Sequence, residues 1–246
     1  MTALALWISC STLTPTASVP PPVEGAKFVG NAACADCHSD HLKKFPTSAH
    51  GRFHSATMKM AGETGCESCH GPGSKHIASG GQGLEKFIVN PKSDPQTCFQ
   101  CHLQTHGEFR MPYHHFVPEG KMSCVDCHDP HGNNIHQKPR NLALHLQGEN
   151  CSACHQEQAR RFVFEHEAMR EGCTTCHSPH GSINQKMLTT RDANLCLKCH
   201  AQRQGAGGTL FIGNIDHSAR ISLGSCWTSG CHSAVHGSNV DHRLRF

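Results

Sequence analysis

One chemically loaded string recurs along this sequence. Cys-x-x-Cys-His occurs seven times, as Cys34-Cys37-His38, Cys66-Cys69-His70, Cys98-Cys101-His102, Cys124-Cys127-His128, Cys151-Cys154-His155, Cys173-Cys176-His177 and Cys196-Cys199-His200. An eighth copy is stretched, with Trp-Thr-Ser-Gly between Cys226 and Cys231 before His232. These eight pairs use 16 of the 17 cysteines and leave Cys10 alone. Two cysteines one helical turn apart can bond both vinyl groups of one porphyrin while the adjacent His takes an axial position on iron, so each copy reads as a haem c attachment site. Structural zinc, a disulfide framework or a thioredoxin-like pair are the competing uses of such cysteines. A tetrahedral zinc site needs four ligands from paired knuckles and gives no reason for a His after every second Cys. The expected cofactor complement is eight covalently bound haem c.

Iron has two axial positions, and the eight attachment histidines fill one each. Fifteen of the 23 histidines remain to supply the other. Methionine competes in principle, but none of the seven Met recurs at a fixed offset from a motif. Recurrence singles out His131 and His180, in the matching strings Cys-His-Asp-Pro-His-Gly at 127–132 and Cys-His-Ser-Pro-His-Gly at 176–181, and His236 in a similar His-Gly ending. An imidazole three residues after an attachment His cannot easily reach the opposite face of the same porphyrin, so these are expected to serve a neighbouring haem. His50 and His166 precede a motif by about a loop, as does one of His114 and His115, and His76 follows its motif in a Gly-rich stretch. His217 completes the set, with His54 and His145 as rivals.

The elements that must position these ligands are small. Motif starts are spaced by 32, 32, 26, 27, 22, 23 and 30 residues, long enough for one short helix and one loop and too short for an independent domain. Helices are expected over about 31–45, 95–105, 150–170 and 192–203, and no alternating pattern runs far enough to define a sheet. With 23 Gly, 13 Pro and only 14 aromatic residues, the chain has too little apolar side chain to fill a core of its length. The expected fold is a multihaem cytochrome c, mostly irregular, with short α-helices wrapped around a chain of haems and little or no β-sheet.

Residues 1–30 read as a signal-like segment and Pro-rich linker, and 31–246 as one octahaem domain. Ile8-Ser9-Cys10 looks like a lipoprotein cleavage box, which makes Cys10 a candidate lipid anchor. Export is expected on separate grounds, because c-type haems are attached outside the cytoplasmic membrane. No run of 18 or more apolar residues occurs, so no helical span is expected. The formal charge is +3, but each oxidised haem with its two propionates brings about −1, taking the loaded chain to roughly −5. A nucleic-acid partner is not expected.

The segment Cys173-Thr-Thr-Cys-His-Ser-Pro-His-Gly-Ser-Ile-Asn, followed by Met187-Leu-Thr-Thr-Arg, Cys196-Leu-Lys-Cys-His and Val235-His-Gly-Ser-Asn, resembles the C-terminal half of the periplasmic multihaem cytochromes of outer-membrane porin-cytochrome conduits. The resemblance extends more weakly to Cys66-Glu-Ser-Cys-His-Gly-Pro-Gly and to His114-His115. It implies a chain seated in an outer-membrane β-barrel porin that receives electrons from a periplasmic or inner-membrane cytochrome and hands them to an extracellular multihaem cytochrome. It also implies His50, His76, His131, His166, His180 and His236 as distal ligands, and eight motifs point to an octahaem branch. Irons closed on both faces cannot bind substrate and can only pass electrons, so an electron carrier is expected, associated with the outer membrane on its periplasmic side. The alternatives are a subunit of an extracellular cytochrome filament and an octahaem oxyanion reductase. A reductase often signals its open iron by Cys-x-x-Cys-Lys, a string this sequence lacks.

Overall fold

The computed structural model describes residues 23–57, 65–132, 150–191, 193–200, 202–223, 226–227 and 230–246. Cys10, residues 1–22 of the signal-like segment and His145 lie outside them.

Every attachment motif folds into one turn closed by the same hydrogen bond. The amide of the attachment His donates to the carbonyl of the first Cys, from His38 to Cys34 at 2.9 Å, His102 to Cys98 at 2.9 Å and His200 to Cys196 at 3.0 Å, and likewise in the others. The stretched copy keeps the closure, His232 donating to Cys226 at 3.1 Å. The sequence thus determines the element list: a helical or 3-10 turn at each motif and a connector between.

The first half is the more helical, with α1 (Asn31–Ala35), α2 (Ser39–Lys44), α3 (Ala49–Thr57), α4 (Glu67–His70), α5 (Ser74–Ala78), α6 (Gln96–Phe99) and α7 (Leu103–Glu108). The later motifs use 3-10 turns at Cys124–Asp126, Asn150–Ala153 and Cys173–Thr175. No described helix is long and apolar enough to cross a membrane.

Two expectations are corrected. The helix expected over 150–170 is only the 3-10 turn Asn150–Ala153 and a separate short helix Gln156–Ala159, after which Arg160 turns extended with ψ 162°. Phe162-Val163-Phe164 is an aromatic and β-branched run that suits a strand better than a helix, and β1 (Phe164–Glu165) pairs antiparallel with β5 (Gly237–Ser238). Gly237 takes φ +147°, and a Cβ there would lie 2.4 Å from the Phe162 ring, so only glycine admits this crossing. The expected helix over 192–203 is likewise short, Ala193–Cys196. It gives way to a three-stranded antiparallel sheet of β2 (Gln202–Gln204), β3 (Leu210–Ile212) and β4 (Ile215–Asp216). The Gly213-Asn214 connection between β3 and β4, with Gly213 at φ +61°, has the glycine-first pattern of a two-residue hairpin turn. Strands of two or three residues leave the architecture mostly irregular, as the composition implies.

The polypeptide's own core is small. Phe99, Phe109 and Val117 form a buried cluster, with Met122 and Cys124 against it, while Val163, Ile183, Leu223, Val240 and Phe246 are exposed. Polar clamps do much of the remaining fastening. Glu67, only 2% exposed, accepts from the amides of Gly30 and Gly73, both at 2.8 Å, and of Val29 at 3.0 Å. Asn31 accepts from the Cys66 amide at 2.9 Å. Together they tie α1, which carries the first motif, to α4, which carries the second.

Candidate functional site

An iron–imidazole bond is about 2 Å and the ring centre lies about 1 Å beyond the nitrogen, so two imidazoles on opposite faces of one iron have centres about 6 Å apart. Seven attachment histidines have a second imidazole at that distance. His38 faces His76 at 6.4 Å, His70 faces His131 at 6.0 Å and His102 faces His50 at 5.9 Å. His128 faces His180 at 5.9 Å, His155 faces His115 at 6.1 Å, His177 faces His236 at 6.2 Å and His200 faces His166 at 6.1 Å. The gap in each pair suits a metal between two nitrogens and is too wide for ring-to-ring stacking contact.

The rings are aimed by their far nitrogens. A carbonyl can only accept, so Nδ1–H donates and leaves Nε2 bare, the tautomer a metal requires. His50 is held this way by Pro130 at 3.3 Å, His115 by Pro179 at 2.7 Å and His166 by Val235 at 2.8 Å. On the attachment side His70 is held by Val89 at 3.0 Å, His177 by Lys186 at 2.8 Å and His232 by Arg243 at 2.7 Å. Burial also pushes His70, His131 and His236 below the ordinary histidine range, which favours the neutral imidazole. His76 carries a buried Nδ1 with no hydrogen-bond partner in the structure.

The two neighbours His114 and His115 separate cleanly. His115 faces His155, whereas His114 donates to the Met111 carbonyl and its Nε2 lies 3.0 Å from Glu119. With both nitrogens engaged, His114 leaves the ligand set proposed from sequence. His217 is anchored on Ile215 at 2.9 Å, and among the described residues no imidazole is in ring contact with His232. His41, unassigned from sequence, sits 4.6 Å from His131 and 6.2 Å from His38, between the first two sites.

Consecutive motifs abut through their cysteines. Cys34 shares a hydrogen bond with Cys66, and burial followed by that neighbour pushes its thiol up to about 11. Cys98 is hydrogen-bonded to Cys124 and Cys196 to Cys226, and burial followed by that neighbour pushes the Cys196 thiol up to about 12. Cys69 lies in electrostatic reach of Cys101, Cys127 of Cys151 and Cys154, and Cys176 of Cys199. Between the fifth and sixth motifs the link is His115, which faces His155 while resting on Pro179. Neighbours in sequence are therefore neighbours in space. Among the described residues no group of three or more His, Cys, Asp or Glu is placed to hold a metal ion alone. Paired thiols beside opposed imidazoles are the donor set of a six-coordinate haem c.

Sequence reasoning missed Glu67 and Glu108. Glu67 sits inside the second motif, at a position the motif leaves free. Glu108 lies at the end of α7, its carboxylate 3.0 Å from His180 Nδ1. No spacing rule marks either residue.

Comparison with known proteins finds the same motif. Residues 166–205 match the doubled CXXCH motif family, the stretch that holds the sixth and seventh motifs. The chain is similar to multihaem c-type cytochromes: it is 30% identical over 214 residues to the multiheme cytochrome MtrA of Shewanella baltica (strain OS185). That alignment covers 85% of this chain and 58% of the relative, so the chain spans little more than half the relative's length.

Proposed function

We propose that this chain is an octahaem electron conduit of the outer membrane. It takes respiratory electrons from a periplasmic or inner-membrane cytochrome and passes them, sheathed by a β-barrel porin, to an extracellular multihaem cytochrome or acceptor. The observation that carries this reading is the row of seven opposed imidazole pairs, 5.9 to 6.4 Å apart, whose motifs abut in sequence order. Cys34 and Cys37 would hold the first haem between His38 and His76, Cys66 and Cys69 the second between His70 and His131, and so on to Cys196 and Cys199 between His200 and His166. The eighth would be held by Cys226, Cys231 and His232. Its support is the closing bond from His232 to Cys226, equivalent to that of the other motifs, and His217 is its proposed second ligand.

Bound haem supplies reversible one-electron transfer. The polypeptide does the rest. The opposed imidazoles would hold the iron and exclude water and small ligands from it, and the abutting cysteine pairs would keep consecutive cofactors within reach of one another. A chain without a described membrane-spanning helix needs a barrel to pass through lipid, and the signal-like segment with Cys10 fits delivery to the periplasmic face.

Two measurements test the proposal. The mass of the holoprotein is expected to equal chain plus eight haems, with one haem lost from the Cys226→Ala/Cys231→Ala variant; seven in both would remove the eighth site. Vesicles holding the porin and this cytochrome are expected to reduce an external acceptor from an internal donor, and porin alone with the same rate would sink the conduit.

One observation favours a second reading, an oxyanion reductase with an open eighth iron, since no described imidazole is in ring contact with His232. Carbon monoxide added to the reduced holoprotein decides between them: an unchanged spectrum supports the conduit, and one responding haem supports the reductase.

A further inference from the structure

Among the distal imidazoles with an anchored Nδ1, one partner differs in kind. His50, His115 and His166 rest on peptide carbonyls, but His180 rests on the Glu108 carboxylate, Oε2 at 3.0 Å. The contact is built. α7 begins directly after His102, the attachment ligand of the third motif, and ends at Glu108. There Gln104 Nε2 donates to the other carboxylate oxygen at 3.0 Å. The Phe109 ring lies 5.4 Å from His180. Behind His180, Gly181 lies so close to α7 that a Cβ would come 2.0 Å from the Glu108 carbonyl oxygen, which fixes the turn carrying the imidazole. His180 and Glu108 are only partly exposed, at 33% and 23% of their side chains, so water screens the contact incompletely.

A carboxylate on Nδ1–H makes an imidazole more basic than a peptide carbonyl does, and a more basic ligand favours the oxidised metal. Resting on the ligand assignment proposed above, we infer that Glu108, acting through His180, is a positioning residue that lowers the reduction potential of the fourth haem below those of its neighbours. The fourth haem then accepts its electron after the third and fifth. The helix that follows the third site's attachment His thereby sets the potential of the fourth, and the row has a step near its middle.

The test uses spectropotentiometry and electron paramagnetic resonance on the holoprotein, with a chemical reductant titrated in. Glu108→Gln keeps an acceptor but removes the charge, and Glu108→Leu removes both. The expected result is one midpoint moved positive in Glu108→Gln, the reduction equilibrium changing about tenfold, or about 59 mV for one electron, with the rest in place and a larger move in Glu108→Leu. The low-spin signal lost in His180→Ala is expected to belong to that same haem. Unmoved midpoints in Glu108→Gln, with His180→Ala still converting one haem to high spin, would overturn the inference and leave the ligand assignment standing. All haems staying low-spin in His180→Ala would overturn the ligand assignment and the inference with it.

Discussion

The imidazole planes of His50 and His102 cross at 81° with their centres 5.9 Å apart. His70 and His131, at almost the same separation, lie parallel within 7°. Near-perpendicular ligand planes leave two iron orbitals almost degenerate, whereas parallel planes split them. The oxidised holoprotein is therefore expected to show both a large-g signal and ordinary rhombic signals in electron paramagnetic resonance. His50→Ala should remove the largest-g signal, leaving that of the His115–His155 pair crossed at 63°, and turn one haem high-spin. Persistence of the largest-g signal would detach His50 from the third site.

Adjacent histidines should behave oppositely. His115→Ala is expected to convert one haem to high spin, while His114→Ala, which breaks only the contacts to Met111 and Glu119, should leave haem content and spin state unchanged. Visible absorption of the oxidised proteins reads both.

The carboxylate of Glu67 faces only donors, the amides of Val29, Gly30 and Gly73. Glu67→Gln turns one acceptor into an NH2 group aimed at peptide N–H, at a cost of about 1–3 kcal/mol for the unmet groups. Thermal unfolding of the holoprotein should show a lower midpoint with all haems retained. An unchanged midpoint would mean that this clamp contributes nothing.

Overpacking at the fourth site gives a further check. Gly181→Ala places a methyl 2.0 Å from the Glu108 carbonyl oxygen, and the backbone shift needed to relieve that typically costs 1–3 kcal/mol. The variant is expected to unfold earlier and to perturb one low-spin signal, the one lost in His180→Ala.

The motif turns were legible because one string recurs: each Cys-x-x-Cys-His copy closes the same hydrogen bond, even with the extra residues before Cys231. The mostly irregular, short-helix fold followed from the scarcity of apolar side chains. Less legible were features set by distant contacts. Gln156–Ala159 ends early because Phe164 pairs with Ser238, a partner no local pattern reveals. The β3–β4 hairpin did leave a signal, Ile212-Gly213-Asn214-Ile215, too short to stand out by alternation. Among candidate ligands, spacing left His114 and His115 undivided, since what separates them is Glu119 on one side and Pro179 on the other. Glu108 carried no signal because its role arises only where α7 meets the turn at Gly181.

Opposed partners are drawn from far along the chain: His50 stands against a motif still to come, and the sixth motif waits for His236. On the function proposed above, a chain exported in order would leave early sites incomplete until late residues arrive, like a lace that tightens only when its last eyelet is threaded. Folding would then finish only with the last ligand, and truncation near the C-terminus should loosen sites filled before it.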